Sequence, residues 1–299
     1  MVLELRNIEK SFGEKNVLTG VSFKAEGGKA FGLLGRNGAG KTTSIRILMD
    51  VFPANSGEVL IDGKPIDYNK VGIGYLPEER GLYPKKIIVD QLTYFAELKG
   101  MSRKAAVQAI DYWLDRLGMT EYRSKKLEIL SKGNQQKIQL ITALSHDPDI
   151  IILDEPFSGL DPVNAMLLKD VVKEQIAKGK IVLLSSHQMS YIEEFCDSIA
   201  ILNNGVVALH GDLHDIKRDY PRDRLVVRTE NPHAVLADFG SSCTVTDSGD
   251  LIIRLSSPSE KKATMTRLVE NYDIDEVKVF EPSLNDIFVA YAGDAAKED

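Results

Sequence analysis

The segment Gly35-Arg36-Asn37-Gly38-Ala39-Gly40-Lys41-Thr42-Thr43 fits the spacing G-x-x-x-x-G-K-[ST]. It follows a short apolar run, Ala30 to Leu34, and precedes a helical pattern beginning near Lys41. The chemistry of that pattern is phosphate binding. Glycines let the backbone turn its N–H groups inward around a phosphate chain, and the start of a helix adds partial positive charge. Lys41 can then reach the terminal phosphates, and the Thr42 hydroxyl is placed to bind Mg²⁺. A glycine-rich turn with an incidental lysine explains little of this spacing.

A second group lies at Ile150-Ile151-Ile152-Leu153-Asp154-Glu155. An aliphatic strand cannot carry charge inside it, so the two acids sit just past its end, where open α/β sheets bind ligands. Asp154 suits a metal ligand, and Glu155, next to the terminal phosphate, suits a general base that polarises water. Taken alone, the pair could be a strand-end cap; beside a phosphate loop the catalytic reading gains. His187, in Ser185-Ser186-His187, ends another apolar strand at the same sheet edge and could hydrogen-bond a terminal phosphate. His146, His210, His214 and His233 have no such setting. Phe12 could stack on a purine, although a strand phenylalanine is more often core. The run Leu130-Ser131-Lys132-Gly133-Asn134-Gln135-Gln136-Lys137 opens an amphipathic helix, with Ser131 as its cap and Gly133 allowing close backbone approach to a ligand.

These residues need a scaffold. Apolar alternation from Leu3 to about Phe23 predicts a strand hairpin, and further strands are expected at Val59–Ile61 and Val71–Tyr75 around the turn at Asp62-Gly63. From about 89 to 147 the character is helical, with Ala105, Ala109, Tyr112, Trp113 and Leu117 read as one buried face and Gly118 as a cap. Strands and helices then alternate: Ile150–Asp154, Pro162–Ala177, Ile181–Ser185, Met189–Phe195, Ser198–Leu202. That order implies a mostly parallel sheet covered on both faces. A boundary is expected near Tyr220-Pro221. Beyond it, strand–helix–strand–strand–helix–strand matches a split βαβ, ferredoxin-like α+β unit over 221–292, ending in a helix at Ser283–Tyr291, with 293–299 as a flexible tail.

With 299 residues the chain has room for two domains. The longest purely aliphatic runs fall far below the roughly 20 residues of a membrane span, and the start lacks a secretory pattern. Net charge is -7: the first 221 residues carry 28 basic and 29 acidic side chains, the last 78 carry 9 and 15. Neither part is a basic body suited to nucleic acid. Two distant cysteines, Cys196 and Cys243, fit no metal spacing and suit a reduced compartment.

Together with Ser158-Gly159-Leu160-Asp161, these motifs in this order resemble the signature of ABC-type ATPases over about residues 1 to 215. The resemblance implies an α/β fold: an ABC-type P-loop ATPase domain, about 1–220, with a mostly parallel core sheet, an antiparallel β subdomain and a helical subdomain. It implies that Phe12 stacks on adenine, that the loop from Gly35 to Thr43 holds ATP with Mg²⁺, and that Glu155 and His187 act in hydrolysis. Ser131, Gly133 and Asn134 of one subunit would complete the ATP site of another, with Asp161 at the interface. The implied partners are a second ATPase subunit, identical or not, and a separate membrane permease, which places the chain peripherally on the cytoplasmic face of the membrane.

Two departures stand out. The family's LSGGQ reads Leu130-Ser131-Lys132-Gly133-Asn134, and the glutamine expected after the strand at 71–75 is Glu78. Glu78 could still bind Mg²⁺ or water, as a third metal-side group with Thr42 and Asp154. The run from Tyr75 to Pro84 and the segment Glu281–Phe288 look more narrowly like the separately encoded ATPase subunits of bacterial and archaeal exporters, of the sodium-extrusion and antibiotic-resistance types. A non-transport ATPase, such as a cofactor-assembly factor, is the competing reading, and the C-terminal module does not obviously suit it.

Overall fold

The computed structural model describes residues 1–79, 81–246 and 248–292; the tail expected at 293–299 lies outside them. The chain divides into two compact units, Met1–Leu213 with the described chain end from Phe288, and His214–Ile287.

In the first unit, strands β1 (Val2–Phe12), β2 (Lys15–Glu26), β3 (Ala30–Gly35), helix α1 (Lys41–Leu48), and strands β4 (Ser56–Ile61), β5 (Lys64–Pro65) and β6 (Ile73–Leu76) come first. Helices α2 (Ile88–Leu98), α3 (Arg103–Arg116) and α4 (Lys132–Leu144) follow. Then come β7 (Ile150–Asp154), α5 (Pro162–Ala177), β8 (Ile181–Ser185), α6 (Met189–Phe195), β9 (Ser198–Asn203) and β10 (Val206–Asp212). One sheet is antiparallel, ordered β2-β1-β4-β5; the other is ordered β10-β9-β3-β8-β7-β6 and is parallel except for the β10–β9 pair. Leu3, Leu5, Leu18 and Phe23 of the first sheet share a core with Phe31, Leu33, Ile150, Ile152, Ile181 and Leu183 of the second. Every residue of β3, β7 and β8 is buried, which is why these strands are continuous aliphatic runs without alternation. Helix α4 lies close on β6: a Cβ at Gly74 would stand 2.1 Å from the Ala143 carbonyl oxygen, so only glycine fits there.

Two readings are corrected, and two elements are added. The turn at Asp62-Gly63 joins β4 to β5, a two-residue strand, whereas β6 belongs to the other sheet. The buried stripe of α3 is Ala106, Ile110, Trp113 and Leu114, followed by Leu117; Ala105 and Tyr112 are exposed. Tyr112 keeps its ring on the surface, edge-on to Trp113 at 5.3 Å, so the neighbouring aromatics mark the two sides of the helix and not one face. Strand β10 and helix α7 (Leu213–Asp219) went unread, because β10 is an edge strand with no fully buried residue.

The second unit runs β11 (Arg224–Arg228), α8 (Pro232–Phe239), β12 (Cys243–Val245), β13 (Leu251–Arg254), α9 (Lys261–Asn271), β14 (Glu276–Val279), and α10 (Leu284–Ala292) begins in it. Its sheet is ordered β12-β13-β11-β14 with every pair antiparallel, which is the ferredoxin-like arrangement expected from the order of elements. Alternation sets its core: Leu225, Val227, Leu251 and Ile253 gather with Val235 of α8 and Leu268 of α9.

Candidate nucleotide site

The site is assembled by strand direction. Because β3, β8 and β7 are parallel neighbours, their C-terminal ends share one edge; Leu33 pairs with Ser185, and Ser185 with Asp154. The phosphate loop leaves β3 at this edge, Asp154-Glu155 leaves β7, and Ser186-His187 leaves β8.

The loop is shaped by its glycines. Gly40, at the start of α1, has φ +111°, and a Cβ there would meet Leu18 Cδ2 at 2.4 Å, so both conformation and space demand glycine. Lys41 Nζ donates to the carbonyls of Gly35 (2.6 Å) and Arg36 (3.3 Å), holding the ammonium over the loop. Arg36, Asn37 and Gly38 are exposed at the loop's crest, Ala39 is buried beneath it, and Thr42 and Thr43 open the helix with Thr42 exposed. Burial pushes the Lys41 ammonium to a lower pKa than usual, against the opposing carboxylates of Glu155, Asp154 and Glu78. The lysine thus sits within electrostatic reach of all three acids.

Asp154 is buried, and its carboxyl titrates above the usual range because burial disfavours its charge, with Glu78 and Glu155 adding to the effect. Its Oδ2 lies 3.5 Å from the Tyr75 hydroxyl, whose own pKa is pushed up to about 12, first by burial and then by Asp154. Oxygen donors are the ligand set that a hard divalent cation prefers, so Asp154, Thr42 and Glu78 fit Mg²⁺.

Glu155 is the most constrained member. Its backbone has φ +50°, rare for a residue with a side chain. Its N–H donates to the Ser185 carbonyl at 2.8 Å, and its own carbonyl accepts from Ser158 N–H at 3.1 Å. The carboxylate accepts the His187 N–H at 2.7 Å and the Ser186 hydroxyl at 3.0 Å, and His187 Nδ1 stands 2.7 Å from Oε1.

Phe12 ends β1 half-exposed, edge-on to Phe52 at 5.5 Å and with the Lys10 ammonium 5.3 Å from its ring. Ser131 caps α4 by accepting the Asn134 N–H at 3.3 Å. A Cβ on Gly133 would rest 3.6 Å from Asn164 and Leu160, an ordinary contact. Asp161 caps α5 through the Asn164 N–H at 2.9 Å, a bond that holds its carboxyl below the usual range. The residues from 131 to 134 therefore gather with the 160–164 segment.

The chain aligns with the ABC transporter ATP-binding protein YhaQ of Bacillus subtilis at 39% identity, covering 98% of this chain and 99% of that one. The chain belongs to the ATP-binding proteins of ABC transporters. A family model described as ABC transporter matches residues 18–158 of this ATP-binding protein, and a model described as the C-terminal domain of DrrA1-3-like ATP-binding proteins matches 211–292. The Nod factor export ATP-binding protein I of Burkholderia lata is 30% identical, over 85% of this chain and 89% of its own. A solved structure of the ATP-binding subunit of an ABC transporter superposes with TM-score 0.68 at 32% identity, covering 74% of this chain and 93% of that one. The protein is thus a nucleotide-binding ATPase of the ABC transporter class. Among the described residues no helix is long and apolar enough to cross a membrane.

Sequence reasoning missed several polar residues of this ATPase's site. Ser186 is 1% exposed and bonded to Glu155. Gln139, buried in α4, donates to the carbonyls of Pro77 (3.3 Å) and Glu79 (3.1 Å), bracketing Glu78, and Gln136 donates to the Pro156 carbonyl at 2.9 Å. The available signal was polarity inside an otherwise apolar helical pattern, Ile138-Gln139-Leu140-Ile141.

Proposed function

We propose that this protein is the motor subunit of an exporter: two copies close around two ATP molecules and drive a separate membrane permease from the cytoplasmic face. The observation that carries this reading is the meeting of Lys41, Asp154, Glu155 and His187 at one edge of the parallel sheet, while Gly133 lies beside Leu160 and Asn164. Among the described residues nothing demands glycine at 133, since a side chain there would make only ordinary contacts. A demand from outside, the phosphate of a second subunit's ATP, supplies the reason.

In this reading the backbone of Gly35–Thr43 and the Lys41 ammonium hold the phosphates, and Phe12 stacks on the adenine. Asp154, Thr42 and Glu78 would hold Mg²⁺, which when bound neutralises phosphate charge. Glu155 takes a proton from the attacking water, and His187 donates to the terminal phosphate. Asp161 orders the start of α5 at the interface, and Asn134 follows Gly133 at the phosphate of the opposite subunit. ATP favours the closed pair through its higher affinity for that state. Exposed Tyr83, Tyr94 and Leu98, beside Phe95, form an apolar surface suited to the permease. The name of the Nod factor export relative supports the direction of transport.

The test is the association state of Glu155→Gln with Mg-ATP, measured by sedimentation. A dimer that appears with ATP and is absent in Lys41→Ala is expected. A monomer in every nucleotide condition would overturn the sandwich.

A further inference from the structure

We propose that Ser186 is the positioning residue for Glu155, fixing its carboxylate oxygen Oε2; this rests on reading Glu155 as the general base. Ser186 follows β8, is 1% exposed, and its Oγ lies 3.0 Å from Glu155 Oε2. The same Oγ accepts the backbone N–H of Gln188 at 3.0 Å. An ionised carboxylate can only accept, so the Ser186 hydroxyl proton points at Oε2, while the Gln188 N–H occupies a lone pair of the same Oγ and holds the hydroxyl in place.

The contact also outlasts the other side-chain contact on Glu155. His187 reaches Oε1 through Nδ1, but its side chain is 67% exposed and free to turn towards phosphate. Ser186 is enclosed and tied to Gln188, so its grip on Oε2 stays when the imidazole leaves. The backbone completes the clamp: Glu155 N–H donates to Ser185 O, so the strand that carries the serine also fixes the glutamate's main chain at φ +50°. Without the hydroxyl, Oε2 loses its anchor and the carboxylate can swing about the one backbone bond that Oε1 accepts from the His187 N–H, and a general base loses rate steeply when its reach is misaligned.

The experiment compares Ser186→Ala, Ser186→Thr and Ser186→Cys in the full chain, with kcat, KM for ATP and Tm measured for each. Ser186→Ala is expected to lower kcat about tenfold, with KM close to wild type and Tm modestly lowered, since the Gln188 N–H loses its partner as well. Ser186→Thr restores most of the loss, because the hydroxyl returns. Ser186→Cys keeps the volume with a weaker donor, and it gives the same split of kcat from KM should the alanine variant fold poorly. On a Glu155→Gln background, Ser186→Ala leaves the residual rate unchanged, as the serine acts only through the glutamate. A kcat within twofold of wild type in both the alanine and cysteine variants overturns the assignment, as does an undiminished further loss on the Glu155→Gln background. Full turnover in Glu155→Gln alone would instead remove the general base itself, and the two failures are told apart by that control.

Discussion

The two units each build a sheet around buried aliphatic strands, yet only one gathers chemistry at a sheet edge. In the first, β3, β8 and β7 run parallel, so three C-terminal ends and the loops that leave them converge on one edge. In the second, every neighbouring pair is antiparallel, and the ends of adjacent strands alternate between the two edges. Its charged groups pair with one another along the surface, as Arg228 does with Asp250 at 2.9 Å and Arg267 with Asp238 at 2.5 Å. Strand direction, more than composition, decides where a catalytic cluster can form.

The sharpest way to break this comparison is at the convergent edge. Glu155→Gln keeps the shape of the side chain and an acceptor for the His187 N–H but cannot take a proton. Turnover is expected to fall by about 10²–10⁴-fold, while ATP binding, followed by equilibrium titration, stays within a few-fold of wild type. Hydrolysis at the normal rate would mean that convergence at this edge does not make Glu155 the base. On the second sheet, Leu225→Ala removes a fully buried side chain paired to Ile253 and Val279. A loss of about 2–5 kcal/mol from that unit is expected in denaturant unfolding, with the ATP dissociation constant unchanged. A parallel loss of ATP affinity would show that the second sheet serves the nucleotide edge after all.

Legibility in the sequence follows the same division. Strands β3, β7 and β8 read directly, because burial on both faces leaves an aliphatic run with a chemical motif at its end. The second unit read well for a different reason: clean alternation at Leu225–Val227 and Leu251–Ile253, with turn residues between. What could not be read was set by partners remote in sequence. The buried face of α3 was shifted because Tyr112 and Trp113 are equally apolar by type, and only packing separates them. Strand β5 contains Pro65 and is two residues long, too short for any pattern. The phosphate loop, the acids and His187 were visible as motifs, whereas Ser186 and Gln139 take their meaning from atoms 31 and about 60 residues away.

The edge should also carry an electrostatic cost that the second sheet lacks. Asp154 titrates above its ordinary value of 3.8 because of burial, so the folded protein holds a proton there more readily than the unfolded chain. At neutral pH the ionised carboxylate therefore works against folding, and that penalty vanishes as pH falls below 3.8, where both states are protonated. Asp154→Asn is expected to melt higher than wild type at pH 7 without nucleotide or metal, by roughly 2 °C or more. The difference should shrink steadily as the scan is repeated at lower pH. A difference that is constant with pH would assign the gain to packing and not to charge.

The smallest expected effect lies at Phe12, where the fold and the nucleotide make opposite demands. A phenylalanine that ends a strand at 50% exposure contributes little to its own core, and here its ring neighbour is Phe52, edge-on. If its exposed face serves as the adenine platform, truncation removes stacking worth about 1 kcal/mol, the lower end for a base on an aromatic ring. Phe12→Ala should raise KM for ATP roughly fivefold and leave kcat and Tm close to wild type. Phe12→Trp, with a larger face, should restore or improve the affinity. The measurement that separates this from a structural role is a comparison of ATP with inorganic tripolyphosphate. Loss of affinity for ATP alone locates the contact on the base; equal loss for both would place the role of Phe12 in shaping the phosphate loop.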